Sequence, residues 1–126
     1  MKATIKNFHD LDAWKKAHIL VLEIYKITAE FPKEEIHGVT SQLRRASSSI
    51  TANIAEGFAR YHFKDKIKFY YNSRGSAAEV QNFLILAKDI GYIDFEKYKI
   101  LNEMTDEVGR LINGLIKSTE QQINNY

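Results

Sequence analysis

The sequence predicts an all-α protein, an antiparallel up-down-up-down four-helix bundle. Three features indicate this fold: apolar residues recur three and four residues apart in four segments, short turns join the segments, and no segment alternates as a half-buried strand would. A chain of 126 residues can bury one apolar core without a metal or a disulfide. We therefore expect one domain over residues 1–126, with helices at about 11–30, 40–58, 63–90 and 95–118.

The first predicted helix begins at Asp10, whose carboxylate can cap free backbone N–H groups, and ends before Pro32. Trp14 and Tyr25 are expected to anchor its bundle-facing seam, and His18 is expected to be a core or interface imidazole with one hydrogen-bond partner. The seam has the spacing of a bundle helix and consists of Leu11, Trp14, His18, Val21, Tyr25 and Thr28.

The second predicted helix, which Thr40 is expected to cap, carries three different faces. An apolar face consists of Leu43, Ala46, Ile50, Ile54 and Gly57. A polar seam consists of Gln42, Arg45, Ser49, Asn53, Glu56 and Arg60, and a seam of small residues consists of Ser48, Ala52, Ala55 and Ala59. We expect this helix to be contacted from several sides, including by another copy of the chain.

The third predicted helix is the longest and ends at Gly91, which is expected to form a left-handed C-cap. Gly75 lies in its middle, where glycine costs about 1 kcal/mol relative to alanine, so we expect a close backbone approach there. Asp94 is expected to cap the fourth helix, and the polar residues from Thr119 onward are expected to fray. The seam of that helix consists of Tyr98, Leu101, Met104 or Thr105, Val108, Leu111 and Leu115.

Several short runs make the chain recognisable: Thr40 to Ala46, Ser49-Ile50 and Ala52 to Gly57. They resemble the bacterial four-helix-bundle family of proteins encoded in intervening sequences of large-subunit ribosomal RNA genes. The other residues that match are Leu11, Trp14, Ala17, Phe31-Pro32, Glu35, Gly38, Phe69, Arg74-Gly75-Ser76, Glu79 and Gly91-Tyr92. The resemblance implies a fold shared with accessory proteins of diversity-generating retroelements, and a pentameric ring. Family members commonly have proline where this chain has Thr51, so a weaker kink is expected here.

Basic residues are concentrated in the middle of the chain. The net charge is only +2, yet residues 44–74 carry seven basic and two acidic side chains. Lysine and arginine neutralise phosphates, and tyrosine rings such as Tyr61 and Tyr71 stack on unpaired bases, so this composition predicts binding to RNA or another nucleic acid. A solvated surface that keeps the protein soluble is the alternative. The candidate nucleic-acid-binding residues are Arg44, Arg60, Lys64, Lys66, Lys68 and Arg74.

A second candidate site is a polar network between the second and third helices. It would lie within one bundle or across a subunit boundary, and it would fix the register of the helices more than their stability. An alternative is an anion or a nucleotide held by Arg45 and Arg74 beside Asn53. The predicted network, or oligomer interface, consists of Arg45, Ser49, Asn53, Glu56, Ser76 and Glu79.

No pattern in the sequence indicates catalysis, a metal or a cofactor. Cysteine is absent, and Glu34 and His37, the one pair with the spacing of a di-iron ligand motif, lie in a predicted turn. The sequence has no nucleophile motif, no phosphate-binding loop, no signal peptide and no membrane-length apolar segment. We expect a cytoplasmic, non-enzymatic, homo-oligomeric adaptor for RNA. The alternative is a scaffold that recruits a protein partner and contacts no nucleic acid.

Overall fold

Four long helices make up most of the chain in a computed structural model that describes residues 4–125. They are α1 (Asp12–Thr28), α2 (Val39–Ala59), α3 (Phe63–Asp89) and α4 (Phe95–Asn124). Short 3-10 helices precede α1 at Phe8–Asp10 and α2 at Lys33–His37, and no strand occurs within the described range. The prediction of an all-α protein is confirmed.

Side-chain contacts show that α2 and α3 are antiparallel. Arg45, near the beginning of α2, pairs with Glu79 in the second half of α3. Further along α2, the carbonyl oxygen of Ile50 accepts a hydrogen bond at 2.9 Å from Ser73, which lies earlier in α3. As residue numbers rise in α2, they fall in the α3 residues opposite.

The other helices follow the same rule. The α3 residues Tyr71 and Gln81 bond to Glu120 and Asp106 of α4, again in reverse order. Thr28 at the end of α1 accepts a hydrogen bond from Arg44 near the beginning of α2. Each helix has two neighbours, α1 with α2 and α4, and α3 with α2 and α4, whereas the backbones of the diagonal pairs do not approach closely within residues 4–125. This is the arrangement of an up-down-up-down bundle.

The predicted apolar face of α2 lies in the core. All five of its residues are buried, and Leu43, Ile50 and Ile54 are completely inaccessible to solvent. They pack with Leu20 and Ile24 of α1 and with side chains of the other two helices: Val80, Leu84, Leu101, Val108 and Ile112.

The buried stripe of α1 is mostly not the predicted one. Residues one position earlier form the apolar core stripe, namely Ala13, Ala17, Leu20, Ile24 and Ile27. Of the predicted seam, Thr28 is buried, and Leu11 and Trp14 are partly buried against the core. Trp14 is half-buried and stacks on His18 with ring centroids 4.7 Å apart, and Tyr25 is exposed. The two neighbouring stripes share the same spacing, and the small side chains of Ala13 and Ala17 suit a helix that packs closely against its neighbours.

Two predicted caps are correct and two are wrong. Asp94 accepts a hydrogen bond from the backbone N–H of Lys97 at 2.7 Å, and Gly91 has φ of +85°. Asp10 instead accepts from the N–H groups of Lys6 and Asn7, which lowers the pKa of Asp10 and orders the turn before α1. Thr40 is buried inside the first turn of α2, because that helix already begins at Val39.

Helix α4 extends further than predicted. It continues to Asn124, and Thr119 is buried and donates a hydrogen bond to the carbonyl oxygen of Leu115. Residues beyond Ser118 therefore form an additional turn and a half instead of a frayed end; Tyr126, included in that prediction, lies outside the described residues. Helix α2 is also unbroken through Thr51.

The close approach between helices occurs at Gly57 and not at Gly75. A Cβ atom on Gly57 would lie 2.6 Å from Cε1 of Tyr70 and 3.2 Å from the carbonyl oxygen of Lys66. A Cβ atom on Gly75 would meet nothing within 4 Å. Only Gly57 is needed for the crossing of α2 and α3 in this chain.

Candidate nucleic-acid interface

A basic and aromatic surface lies where α2 ends and α3 begins. We define this corner surface as Arg60, Tyr61, His62, Lys64 and Lys68. Arg60 and His62 flank the two helices as C-cap and N-cap residues, so the turn between them is only three residues long. Beside the turn is an open pocket of about 750 Å³, lined by residues 61–65 and by Ile123 of α4.

The corner surface presents cations next to an exposed aromatic ring. Lys64 and Lys68 lie one turn apart on α3, are exposed and make no ion pair within residues 4–125. Tyr61 is 89% exposed, and its ring meets His62 edge-on with centroids 5.0 Å apart. The acidic side chains nearby are Asp65, which lines the pocket, and Glu56.

Arg60 belongs to the corner surface but is partly engaged. Its guanidinium lies 3.5 Å from the carboxylate of Glu56 and 4.6 Å from the ring centroid of Phe69. The side chains of Arg60 and Glu56 are each about half-exposed, so the ion pair is weak and an incoming phosphate can compete for the guanidinium.

Lys66, a predicted member of this site, has a structural role instead. Its ammonium group donates hydrogen bonds to the carbonyl oxygens of Phe58 at 2.7 Å and Gly57 at 3.3 Å. It also lies 5.4 Å from the ring centroid of Phe58, and burial lowers the pKa of Lys66. These contacts satisfy carbonyl groups that the end of a helix leaves without partners, so Lys66 is not available to a phosphate.

Arg44 is also distant from the corner surface. It precedes Arg60 by sixteen helical residues, which is about 24 Å along α2. Its Nε donates to the hydroxyl oxygen of Thr28 at 2.9 Å, and its guanidinium covers the ring of Tyr25. Arg44 therefore joins α1 to α2 near the opposite end of the bundle.

Arg74 lies on the side of α3 that faces α4. Its Nη1 donates to Oδ1 of Asn113 at 3.2 Å, and its guanidinium lies 5.1 Å from the ring centroid of Tyr71. The hydroxyl of Tyr71 donates in turn to Glu120, and this hydrogen bond raises the pKa of Tyr71. Lys64, Tyr71 and Arg74 lie within about 80° of one another around α3, whereas Lys68 lies about 120° from Arg74.

Two basic residues of α4 complete this side and were absent from the prediction. Arg110 lines the same groove as Arg74 and Asn113. Lys117 follows Asn113 by four residues, so both lie on the face of α4 that meets α3. Their spacing on one helix face was a usable signal, but residues 75–126 carry eight acidic side chains, which concealed these cations in the overall charge.

The polar seam of α2 meets α3 within a single chain. Ser76 donates to the hydroxyl of Ser49 at 2.9 Å, and Asn53 donates to the carbonyl oxygen of Ser49 at 2.8 Å. Arg45 bonds to Glu79 and to Gln42. Glu56, predicted to join this network, pairs with Arg60 instead.

The alternative anion site between Arg45 and Arg74 is not formed. Arg45 is directed at Glu79 on the α2 side of α3, whereas Arg74 is directed at Asn113 on the α4 side. The two guanidinium groups therefore serve different interfaces.

Residues 4–125 show neither a metal-binding cluster nor a helix suited to a membrane. Glu34 and His37 lie in the 3-10 helix before α2, and the neighbouring Glu35 accepts a hydrogen bond from Tyr92 at 2.6 Å. No group of three or more histidine, aspartate or glutamate side chains in residues 4–125 is placed to hold a metal ion. No helix in the described part of the chain has the length and apolar character needed to cross a membrane.

The fold and the surface define an antiparallel four-helix bundle with basic and aromatic residues clustered at one end. The sequence profile of the 23S rRNA-intervening sequence protein family matches residues 9–114, and the chain belongs to this family. It is similar to a protein of unknown function from the S23 ribosomal protein family of Bacteroides thetaiotaomicron. That crystal structure has a TM-score of 0.75 and 25% sequence identity, over 83% of this chain and 98% of the other. Among curated proteins, none matches.

Proposed function

We propose that this protein is a non-enzymatic adaptor that binds RNA through the corner surface and assembles with copies of itself. One observation carries the RNA-binding part: Tyr61 is 89% exposed beside an open pocket whose rim carries the unpaired ammonium group of Lys64. Family membership is compatible with this function, but the proposal depends on the surface.

The chemistry of the corner surface suits single-stranded RNA. A base that stacks on an exposed aromatic ring contributes about 1–3 kcal/mol, and the contact does not depend strongly on sequence. Lys64, Lys68 and Arg60 supply charges for the phosphates on either side of such a base. Duplex RNA has no unstacked base to offer Tyr61, so it is expected to bind more weakly.

Assembly would compensate for the small number of cations in one copy. Linked sites raise the overall affinity by orders of magnitude when a strand can reach several of them. The third face of α2 supports self-association, because Ala52 and Ala59 are exposed and no element of the described chain covers them. Leu22 and Tyr25 of α1 are also about half-exposed. A pentamer is the form that the family resemblance implies.

The decisive experiment compares two charge reversals of equal size at opposite ends of the bundle. Lys64→Glu with Lys68→Glu is expected to weaken binding of fluorescent single-stranded RNA at least tenfold at about 0.15 M salt, because two phosphate contacts become repulsive. Lys97→Glu with Lys99→Glu changes the net charge by the same amount on exposed positions at the other end and is expected to have little effect. Equal losses in both variants would contradict a localised site.

The competing function is a scaffold for a protein partner. The neighbouring apolar side chains of Ile19 and Leu22 on α1 are exposed and favour this function, because exposed apolar patches often mark sites of protein–protein contact. If the folded wild-type protein binds no RNA even at low salt, the RNA proposal fails and this function becomes the better explanation.

A further inference from the structure

We propose that the groove between α3 and α4 binds a phosphate group of the nucleic-acid strand, with Arg74 and Arg110 as its ligands. This inference rests on the proposed RNA-binding function and extends it to a second site. The α3–α4 groove has a volume of about 320 Å³, and its lining includes Arg74, Gln81, Asp106, Gly109, Arg110 and Asn113.

Arg110 can bind an anion because Asp106, the carboxylate one helical turn before it, is hydrogen-bonded to Gln81 instead. Asp106 precedes it by four residues on α4, a spacing at which aspartate and arginine commonly pair. In this structure Asp106 accepts a hydrogen bond from Nε2 of Gln81 at 2.7 Å, and the same nitrogen lies 3.2 Å from Oδ1 of Asn102. Arg110 is exposed and forms no ion pair within residues 4–125, so its guanidinium can receive an anion.

Arg74 is already positioned on the opposite wall. The amide oxygen of Asn113 and the ring of Tyr71 hold its guanidinium, and Glu120 holds Tyr71 in turn. The bond to Asn113 uses one of the five N–H groups of the side chain, which leaves others for an oxygen ligand. A positioned guanidinium loses less entropy on binding than a free one, and its planar fork matches a phosphate.

Small residues line the bottom of the groove and leave space above them. Ala77 and Ala78 contribute only methyl groups, and a Cβ atom on Gly109 would meet nothing within 4 Å. A phosphate can therefore descend between the two arginines. The lining contains one carboxylate, that of Asp106, which is bonded to Gln81. Arg74 and Arg110 therefore give the groove a net positive charge.

The groove lies further along α3 than the corner surface. Arg74 follows Lys64 by ten helical residues, about 15 Å along α3, and Tyr71 lies between them on the same side of the helix. A strand whose base stacks on Tyr61 can thus follow α3 and place a later phosphate in the groove. The proposed path of the strand therefore runs from Tyr61 along the α3–α4 side of the bundle.

The test measures the salt dependence of binding to a single-stranded RNA of about 20 nucleotides. Arg110→Gln is expected to lower the affinity about fivefold or more at 0.15 M salt and to reduce the slope of log K against log salt by about 0.7, the value for one lost phosphate contact on a single strand. Lys99→Gln removes one exposed cation of α4 outside the groove and is expected to leave the slope nearly unchanged.

A steric pair of variants tests the same site without altering charge. Gly109→Leu fills the groove and is expected to weaken RNA binding as Arg110→Gln does. Gly114→Leu makes the same change at a position of α4 that is equally open but does not line the groove, and binding should be retained. Circular dichroism checks that both variants remain helical.

The outcomes separate this inference from the proposed function. If the corner charge reversal weakens binding while Arg110→Gln and Gly109→Leu bind as the wild type does, the groove proposal is overturned and the corner surface stands. If the wild-type oligomer binds no RNA, both are overturned.

Discussion

Neighbouring lysines on α3 show how position decides the role of a residue. Lys64 and Lys66 are two residues apart, yet Lys64 is exposed on the corner surface and Lys66 closes the end of α2. Two steps on a helix rotate a side chain by about 200°, so alternate residues face opposite directions. A cluster of cations in the sequence therefore becomes two groups in the fold, one facing solvent and one serving the helix packing.

Replacing these lysines by methionine should separate the two roles. Lys66→Met removes hydrogen bonds to two carbonyl oxygens and is expected to lower the free energy of unfolding by about 1 kcal/mol. Because burial lowers the pKa of Lys66, the charged form costs stability below that lowered pKa, and this cost is relieved as the pH rises toward the ordinary value of 10.5. The stability difference between wild type and Lys66→Met should therefore widen across that interval.

Urea unfolding measured between pH 7 and about 10 checks both parts of this prediction. Lys64→Met is the matched control, since it should leave stability within about 0.5 kcal/mol of the wild type while it weakens RNA binding. Equal stability of the two methionine variants would show that the contacts of Lys66 at the end of α2 contribute nothing.

At the scale of the helix, the crossing of α2 and α3 depends on one glycine. Gly57 is buried against the ring of Tyr70, which is itself only 4% exposed and so cannot easily move aside. Gly75 lies in the same helix pair with open space around it. Both glycines carry the same conformational cost in a helix. Of the two, only Gly57 lies where a larger side chain would clash with a neighbouring helix.

The two alanine variants are therefore expected to change stability in opposite directions. Gly57→Ala should destabilise the bundle by about 2 kcal/mol, because the added methyl group overlaps Tyr70 and the backbone of Lys66. Gly75→Ala should stabilise it by up to about 1 kcal/mol through helix propensity. Thermal and urea unfolding measure both; a stabilising Gly57→Ala would mean that α2 and α3 can separate without loss.

The face that α1 buries illustrates the limit of periodicity. Stripes through Trp14 and through Ala13 have identical spacing, so spacing alone does not choose between them. The bundle buries the stripe whose members are all apolar, with Ala17 completely inaccessible, and places the Trp14 and His18 rings at the edge. The apolar face of α2 was predictable because its two flanking stripes are polar and small.

For the whole molecule, the exposed small-residue face of α2 predicts self-association. Ala52→Glu introduces a charge and bulk into this face, and light scattering should show a smaller assembly than the wild type forms. Ala78→Glu makes the same change on an exposed position of α3 and should preserve the mass. A wild-type protein that is monomeric at all concentrations would contradict the assembly part of the proposed function.

The sequence by itself determined the four helices, the buried face of α2, the Gly91 and Asp94 caps and the family, because periodicity, capping chemistry and short motifs are local properties. Only the tertiary structure decided which cations share a surface. Arg44 and Lys66 are engaged away from the corner surface, Lys64 and Lys68 lie on it, and Arg110 of α4 lines a groove with Arg74. The physical reason is that the packing of antiparallel helices joins residues far apart in the chain and separates those that are adjacent.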